Sequence, residues 1–328
     1  MSIMKYTIRR AKSEDVAGIV LLVKEQGLAV CESDLRLFFF EMPDGSENIG
    51  GVLAEADNGE IVGYLGVSRC DLIIEGQTCK GYIRGVLAVR PNGGMCAFDL
   101  CDAASAMCKD GVSFSNTANS LSVKLGCGYA GFEQGPESGN YMFFSCLPLG
   151  ALFGLLPIKR KMESFDDCGE LYDNLGKFRS KLCSSRSVER MKWLFDDKIR
   201  NGDVSIVKID DQNQVVGCGI MKRRRVGRLP IFRYQILDIC VKDDSESLAI
   251  RLLNRMKYVA MINGACLLEI NASGKALVSA VKKSFAYSRK IASNPFVWTS
   301  NCEKITSVIC ADKGWFWGPY DGDRITCM

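Results

Sequence analysis

The sequence predicts an α/β protein built from two copies of one domain, and three observations carry that expectation. Strand and helix signals run in the order βααβββαβαβ through the first half of the 328 residues, and the same order returns in the second. Matching positions, such as Gly63 and Gly217 or Val89 and Val241, keep a near-constant offset, so that Val62-Gly63-Tyr64-Leu65-Gly66 stands over Val216-Gly217-Cys218-Gly219. The third is the stretch 78–109, which reads as a buried strand, a tight Pro91-Asn92-Gly93-Gly94 turn and a helix opening near Met95. The alternative is two unrelated α/β domains that share this order by chance.

The elements follow in order. Lys5 to Arg10 alternates as a strand does, and Ser13-Glu14-Asp15 caps a helix carrying Val16, Ile19, Val20 and Val23 at helical spacing. A second helix is predicted over 33–40, then strands over 51–56 and 61–70 joined by Asp57-Asn58-Gly59-Glu60, a hairpin signal. The strand and helix of 78–109 come next. A strand at 112–115, a helix at 118–125 and a closing strand at 141–146 complete the copy. In the second half, helices over 168–181 and 187–199 precede a hairpin of 203–209 and 214–222. Strand 234–241, helix 246–262, strand 266–271 and helix 275–284 follow. The copies divide between 147 and 164.

A hydrophobic content of 47% with 24% charged residues is that of a soluble globular chain. A net charge of +4 is too small to indicate a nucleic-acid track, and no nucleic-acid partner is expected. No leader-like segment opens the sequence, and the most apolar run, 147–157, is far shorter than the roughly 20 residues of a membrane-spanning helix. The sixteen cysteines form no CxxC pair, which points to buried thiols in a reducing cytoplasm. The chain has no histidine, which removes the commonest general base and the commonest metal ligand; no metal is expected. The strand and helix of 78–109 bring backbone amides and a helix N-terminus to one spot, an arrangement that favours an anion.

Several segments resemble the GNAT acyltransferases, in particular members in which one GNAT copy follows another. They are the opening run from Tyr6 to Ile19, Val86-Leu87-Ala88-Val89-Arg90-Pro91 before the turn, and Phe114-Ser115-Asn116 through Ser120 to Lys124-Leu125-Gly126. The resemblance implies two tandem domains, each a mixed, largely antiparallel central sheet flanked by helices. Residues 1–150 would bind acyl-CoA, 151–164 would connect, and 165–328 would form a degenerate copy on the acceptor side. The implied activity is N-acyl transfer from acyl-CoA, with pyrophosphate on the turn before the third helix. Leu87, Val89, Gly93, Gly94, Met95, Cys96, Ala97 and Asn116 are the expected CoA contacts.

The turn keeps its glycines and Ala97 but lacks the arginine usual in the family. The second copy replaces it with Val241-Lys242-Asp243-Asp244-Ser245-Glu246, whose carboxylates would repel phosphate by about 1–4 kcal/mol per pair. The CoA end is therefore expected in the first copy. The resemblance puts Ser122 where relatives carry a tyrosine acid, and a serine hydroxyl is a poor acid. Asn116, Asp238 and Glu269 are the candidate catalytic side chains, with helix capping the other role for Asn116 and a satisfied structural carboxylate the other role for Asp238. Asn271 shares a strand face with Glu269. The run Lys222-Arg223-Arg224-Arg225-Val226-Gly227-Arg228 reads either as a solvated hairpin tip or as a phosphate grip, with Arg223, Arg224 and Arg225 the gripping residues.

Weak basic machinery favours an amine of low basicity, such as that of an amino sugar. The expected acceptor is a small-molecule amine, best a nucleotide-linked amino deoxy sugar for surface polysaccharide. The tail Gly314-Trp315-Phe316-Trp317-Gly318-Pro319-Tyr320-Asp321-Gly322-Asp323 resembles the ending of such relatives. An amino acid, polyamine or aminoglycoside acceptor is one alternative, and a non-catalytic pair that binds acyl-CoA is another.

Overall fold

The computed structural model describes residues 5–307 except 29, 46, 92, 94, 116–119, 136–137, 145–162, 175–181, 226–231, 273–274, 285–288, 295–296, 302 and 304. The tail from 308 onward and the apolar run 147–157 lie outside the described residues. In the first half, β1 (Tyr6–Arg10) is followed by α1 (Val16–Glu25) and α2 (Glu32–Phe40). Next come β2 (Val52–Ala56), β3 (Ile61–Arg69), a small hairpin of β4 (Leu72–Ile74) and β5 (Gln77–Cys79), and β6 (Gly81–Val89). Then follow α3 (Cys96–Met107), β7 (Val112–Ser115), α4 (Ser120–Gly128), β8 (Glu133–Gln134) and β9 (Ser138–Phe144).

The second half runs α5 (Gly169–Asp173), β10 (Leu182–Ser184), α6 (Val188–Arg200), β11 (Val204–Asp211), β12 (Gln214–Arg225) and β13 (Phe232–Val241). It ends with α7 (Glu246–Ile262), β14 (Ala265–Ala272), α8 (Lys275–Ser284), β15 (Arg289–Asn294) and β16 (Val297–Ser300). Among the described residues no helix is long and apolar enough to cross a membrane.

The strands form two mixed, mainly antiparallel sheets, β1-β2-β3-β6-β7-β16-β8 and β11-β12-β13-β14-β9-β15, plus a small sheet β10-β4-β5. The sequence repeat is visible in the register, where Gly63 faces Val89 and Gly217 faces Val241. One element lies elsewhere than expected. The strand predicted to close the first sheet, found as β9, pairs instead with β14 and β15 of the second sheet. In return β16, from the second half, pairs with β7 and β8. Each sheet thus contains a strand from the opposite half. The physical reason is that strand alternation specifies which side chains face a core, not which open sheet edge receives the strand.

One apolar core joins the halves. It holds the inner face of the first sheet (Leu53, Tyr64, Ile83, Phe114), the inner face of the second (Ile206, Ile220, Leu237) and the buried sides of α1, α2, α5 and α6. Helix α6 shows how the local sequence does this. Ser187 caps it by accepting from the Arg190 amide at 3.1 Å, and Met191, Leu194 and Phe195 recur at helical spacing on its buried side. On the outer faces, α3 covers the first sheet through Cys96, Leu100 and Ala104, and α7 and α8 cover the second through Leu252, Met256 and Val281. Gly63 allows the α3 contact, since a Cβ there would lie 2.4 Å from the Cys96 sulfur.

Candidate functional site

The geometry that makes a site lies in the middle of each sheet. In the first, Leu65 faces Leu87 but Gly66 faces Gly85, leaving Val86 as an extra residue at φ +53°. A β-branched residue in the left-handed region is strained, and a bulge there bends the strand. Parallel pairing of β6 with β7 ends at Ile83–Phe114, so the two strands part just before this bulge. Past it, the Arg90 amide donates to the Val62 carbonyl at 2.9 Å. That bond sets the phase of the antiparallel ladder: Ala88 also turns its amide to β3, whereas Leu87 and Val89 turn theirs to the open side, where no β7 residue stands in register. A wedge with inward-pointing backbone donors results.

Arg84 holds the base of the wedge. Its Nε donates to Ser113 Oγ at 2.6 Å and its Nη2 to Ser105 Oγ at 3.1 Å, tying β6 to β7 and α3, and its guanidinium lies 4.7 Å from the centre of the Phe132 ring. Burial pushes this guanidinium below its ordinary pKa, and among the described residues no carboxylate forms an ion pair with it. Sequence reasoning missed Arg84; the available signal was a lone charge inside an apolar strand.

At the mouth of the wedge, α3 starts without a side-chain cap, because its N-cap residue is the exposed Met95. Uncapped first-turn amides and the helix dipole favour an anion there. Gly93 makes the turn compact, since a Cβ would lie 2.9 Å from Val89 Cγ1 and 3.0 Å from the Arg90 carbonyl oxygen. Cys96 is buried against the sheet, which raises its thiol to about 11, so it can offer a ligand its backbone but not a thiolate. Ala97 is half-buried in the first turn. Arg90, next to the turn, is engaged by Glu25 and Glu60. Gly94 and Asn116 lie outside the described residues.

The second sheet repeats the wedge with different chemistry around it. Ile220 faces Asp238 and Met221 faces Ile236, so Leu237 is the extra residue, and β13 leaves β14 after Ile236–Ile270. Asp238 takes the place that Leu87 holds in the first sheet, and Arg186 grips it with two bonds of 2.8 and 2.9 Å. The turn beyond β13 puts Asp243 and Asp244 at φ +58° and +48°, and Ser245 caps α7 by accepting from the Leu248 amide. Its helix start is thus acidic and already capped. Of the two helix starts, the first is uncapped and the second is capped by a side chain.

Of the predicted acceptor-side residues, several come together. Lys222 to Arg225 are the last residues of β12, with Arg225 exposed and the other three half-buried, and the rest of the basic run, 226–228, lies outside the described residues. Arg223 stacks over Phe232, 3.6 Å from its ring centre. Arg224 is on the opposite face, opposite Arg233. Glu269 and Asn271 share that same face, and among the described residues Asn271 Oδ1 is buried without a hydrogen-bond partner. For Asp238 the pairing with Arg186 corresponds to the structural alternative, since both carboxylate oxygens are occupied. Arg186 was missed because no local pattern links residues so far apart in sequence. A cavity of about 530 Å³ elsewhere is lined by Glu163, Asp167, Glu170 and Asp210 with Lys208, an acidic wall unsuited to an anion.

No protein-family model matches the chain, and no curated protein matches it in sequence. Solved structures do match in shape. A GCN5-related N-acetyltransferase from Anabaena variabilis is 12% identical and aligns with a TM-score of 0.60 over 90% of this chain and 72% of its own. Saccharomyces cerevisiae N-myristoyltransferase with bound myristoyl-CoA is 7% identical, with a TM-score of 0.59 over 91% and 83%. A GCN5-related N-acetyltransferase from Kribbella flavida is 12% identical, with a TM-score of 0.55 over 90% and 71%. At such identities the likeness is one of fold: the chain has the fold of GCN5-related N-acetyltransferases and of N-myristoyltransferase, and it extends through both halves.

Proposed function

We propose that the chain is an acyl-CoA-dependent N-acyltransferase whose donor binds in the wedge of the first sheet. The observation that supports this most is the difference between the two wedges. One opens onto an uncapped helix start with Gly93 at its turn, and the other carries the buried Arg186–Asp238 pair at its bulge and ends in two aspartates and a serine cap. The neighbours of the same fold include a protein with myristoyl-CoA bound. In this reading the Leu87 and Val89 amides receive the thioester oxygen and stabilise the charge that develops on it. Gly93, Gly94, Met95, Cys96 and Ala97 offer backbone amides to the pyrophosphate, and Asn116 serves the pantetheine arm. Acyl-CoA supplies the activated thioester; attack by a neutral amine displaces the CoA thiolate.

With no histidine, the acceptor amine must lose its proton with little help. An amine of low basicity suits that, and the finer reading is the amino group of a nucleotide-linked deoxy sugar. Glu269 and Asn271, on the second sheet's inward face, stand on the acceptor side. The test is to incubate the protein with acetyl-CoA and a panel of amines, including nucleotide-linked amino sugars, and to follow thiol release. Release with an amine supports the reading. Tight CoA binding with no release from any amine supports a non-catalytic binder, and absence of CoA binding overturns both.

A further inference from the structure

A group of sulfur atoms in the core that joins the halves takes no part in the donor wedge. Cys168 ends a short 3-10 helix, Asp166–Cys168, that leads into α5, and Cys218 lies in the middle of β12. Both are buried free thiols, and although far apart in sequence they share a side-chain hydrogen bond. The Tyr172 hydroxyl of α5 donates to the Cys218 sulfur at 3.5 Å, and Cys240 of β13 stands directly across from Cys218 in the ladder. Two thiols from different elements thus touch without being bridged.

Cys168 lies directly behind the wall of the cavity of about 530 Å³. Its sequence neighbours Asp167 and Glu170 line that cavity together with Glu163 and Lys208, and Lys208, Asp167 and Glu163 are the charges that act on the Cys168 sulfur. The two thiols are not equivalent. The bond from Cys218 holds the Cys168 thiol below its ordinary value against the opposing effect of burial, and Lys208 adds to it; the same bond, with burial, pushes Cys218 up. Cys168 is therefore the sulfur that ionises first, and Cys218 the one that keeps its proton. The thiols packed on the outer face of the first sheet behave otherwise, since burial raises Cys96, Cys101 and Cys108. A mostly acidic wall repels an anionic oxidant and leaves a small neutral one free to enter.

We propose that Cys168 and Cys218 are a modification site, a touching thiol pair that hydrogen peroxide entering from this cavity converts reversibly to a disulfide. The Cys168 thiolate attacks one peroxide oxygen, the O–O bond breaks, and the departing hydroxide leaves as water with the proton that Cys168 released; Cys168 is then a sulfenic acid. The Cys218 sulfur attacks the Cys168 sulfur, the S–S bond forms as the S–O bond breaks, and the second hydroxide leaves as water with the Cys218 proton. Two thiols are oxidised and one peroxide is reduced to two waters. The bridge ties the start of α5 to the middle of β12 within the common core, away from the donor wedge. It does not depend on the acyltransferase reading.

The experiment treats reduced full-length protein with stepwise additions of hydrogen peroxide and reads the intact mass and a non-reducing tryptic map. The expected result is the loss of two hydrogens and a linked pair of peptides 162–177 and 209–222, which carry Cys168 and Cys218. The link should form before Cys96, Cys101 or Cys108 is oxidised, and dithiothreitol should reverse it. In Cys218→Ser the bridge should be absent and Cys168 should instead take up dimedone, which traps sulfenic acids; no uptake rejects Cys168 as the attacking sulfur. A bridge from Cys218 to Cys240 that persists in Cys168→Ser, or no bridge at a dose that fully oxidises the exposed Cys31, overturns the proposal. Where a substitution costs the fold by circular dichroism, the wild-type map decides alone: the Cys168–Cys218 link supports the pair, and any other link or none rejects it. Urea unfolding gives a second reading, since a bridge constrains the unfolded chain. The oxidised protein should have the higher midpoint, and a lower one shows that the bridge forms only by distorting the core and overturns the site.

Discussion

Replacing Asp238 by Asn separates a structural carboxylate from a catalytic one. Asp238 Oδ1 and Oδ2 accept from Arg186 Nη2 and Nε at 2.8 and 2.9 Å, and the two side chains are 2% and 0% exposed. Asn keeps the shape but removes the charge, so the buried guanidinium loses its ionic partner on β13 while still meeting the Ser184 carbonyl and hydroxyl at 2.9 Å. Breaking a buried pair on one side costs about 3–5 kcal/mol. With an unfolding entropy of roughly 2.1 cal/mol/K per residue, a cooperative unit of this chain's size should melt about 4–7 °C lower. Urea unfolding of wild type, Asp238→Asn, Arg186→Met and the double variant Asp238→Leu with Arg186→Met is the assay. Each single change should lower the midpoint without changing the slope, and the double variant should recover most of the loss. A single-variant loss under about 1 kcal/mol, with amine turnover abolished across the pH range, would refute the reasoning and return Asp238 to the role of base.

Three further outcomes follow from the packing and the charges. Trp298→Ala, in the strand the second half lends to the first sheet, should cost about 3–5 kcal/mol by urea unfolding, since Trp298 is buried in the common core; a surface-like loss would contradict the strand exchange. Burial by itself would raise Asp15, but two bonds from Arg9 and one from the Lys12 amide outweigh it and hold the carboxyl below its ordinary value. Its contribution is thus complete above an unfolded pKa of about 3.9 and is lost as pH falls through the lower folded value, so Asp15→Asn should flatten the acid limb of stability below about pH 4. Ser245→Ala removes the α7 cap and should cost about 1 kcal/mol, with no effect on CoA binding.

The repeat was legible because it is written in local patterns. Gly63 and Gly217 are small where their sheets meet packed neighbours, and both fall in register with a valine that ends the central strand. The hairpin at Asn58-Gly59 is present, and in the second copy Gln212 and Asn213 adopt positive φ to make the equivalent turn. The bulges at Val86 and Leu237 were not legible, since an extra residue in an apolar strand leaves no mark in composition. Nor was the exchange of β9 and β16, which depends on which sheet edge is open once the helices have packed. The basic run was read as one unit, although its described part lies on a strand. In the strand, Arg223 stacks on Phe232 while Arg224 takes the other face, so period-two alternation splits one run into two environments. Polar residues inside apolar runs, Arg84, Gln235 and Asp238, were the signal with most content, because each one is buried and each requires a partner.

The most direct measurement is calorimetric titration of CoA into wild type, Gly93→Val and Ser245→Ala. Gly93→Val puts a branched side chain where even a Cβ would lie 2.9 Å from Val89 Cγ1, which forces the turn away from the α3 start. Binding at one site in wild type, unchanged in Ser245→Ala and weakened at least tenfold in Gly93→Val, is the predicted result. No binding to the wild type, or binding that Gly93→Val leaves intact, would contradict placement of the donor in the first sheet's wedge.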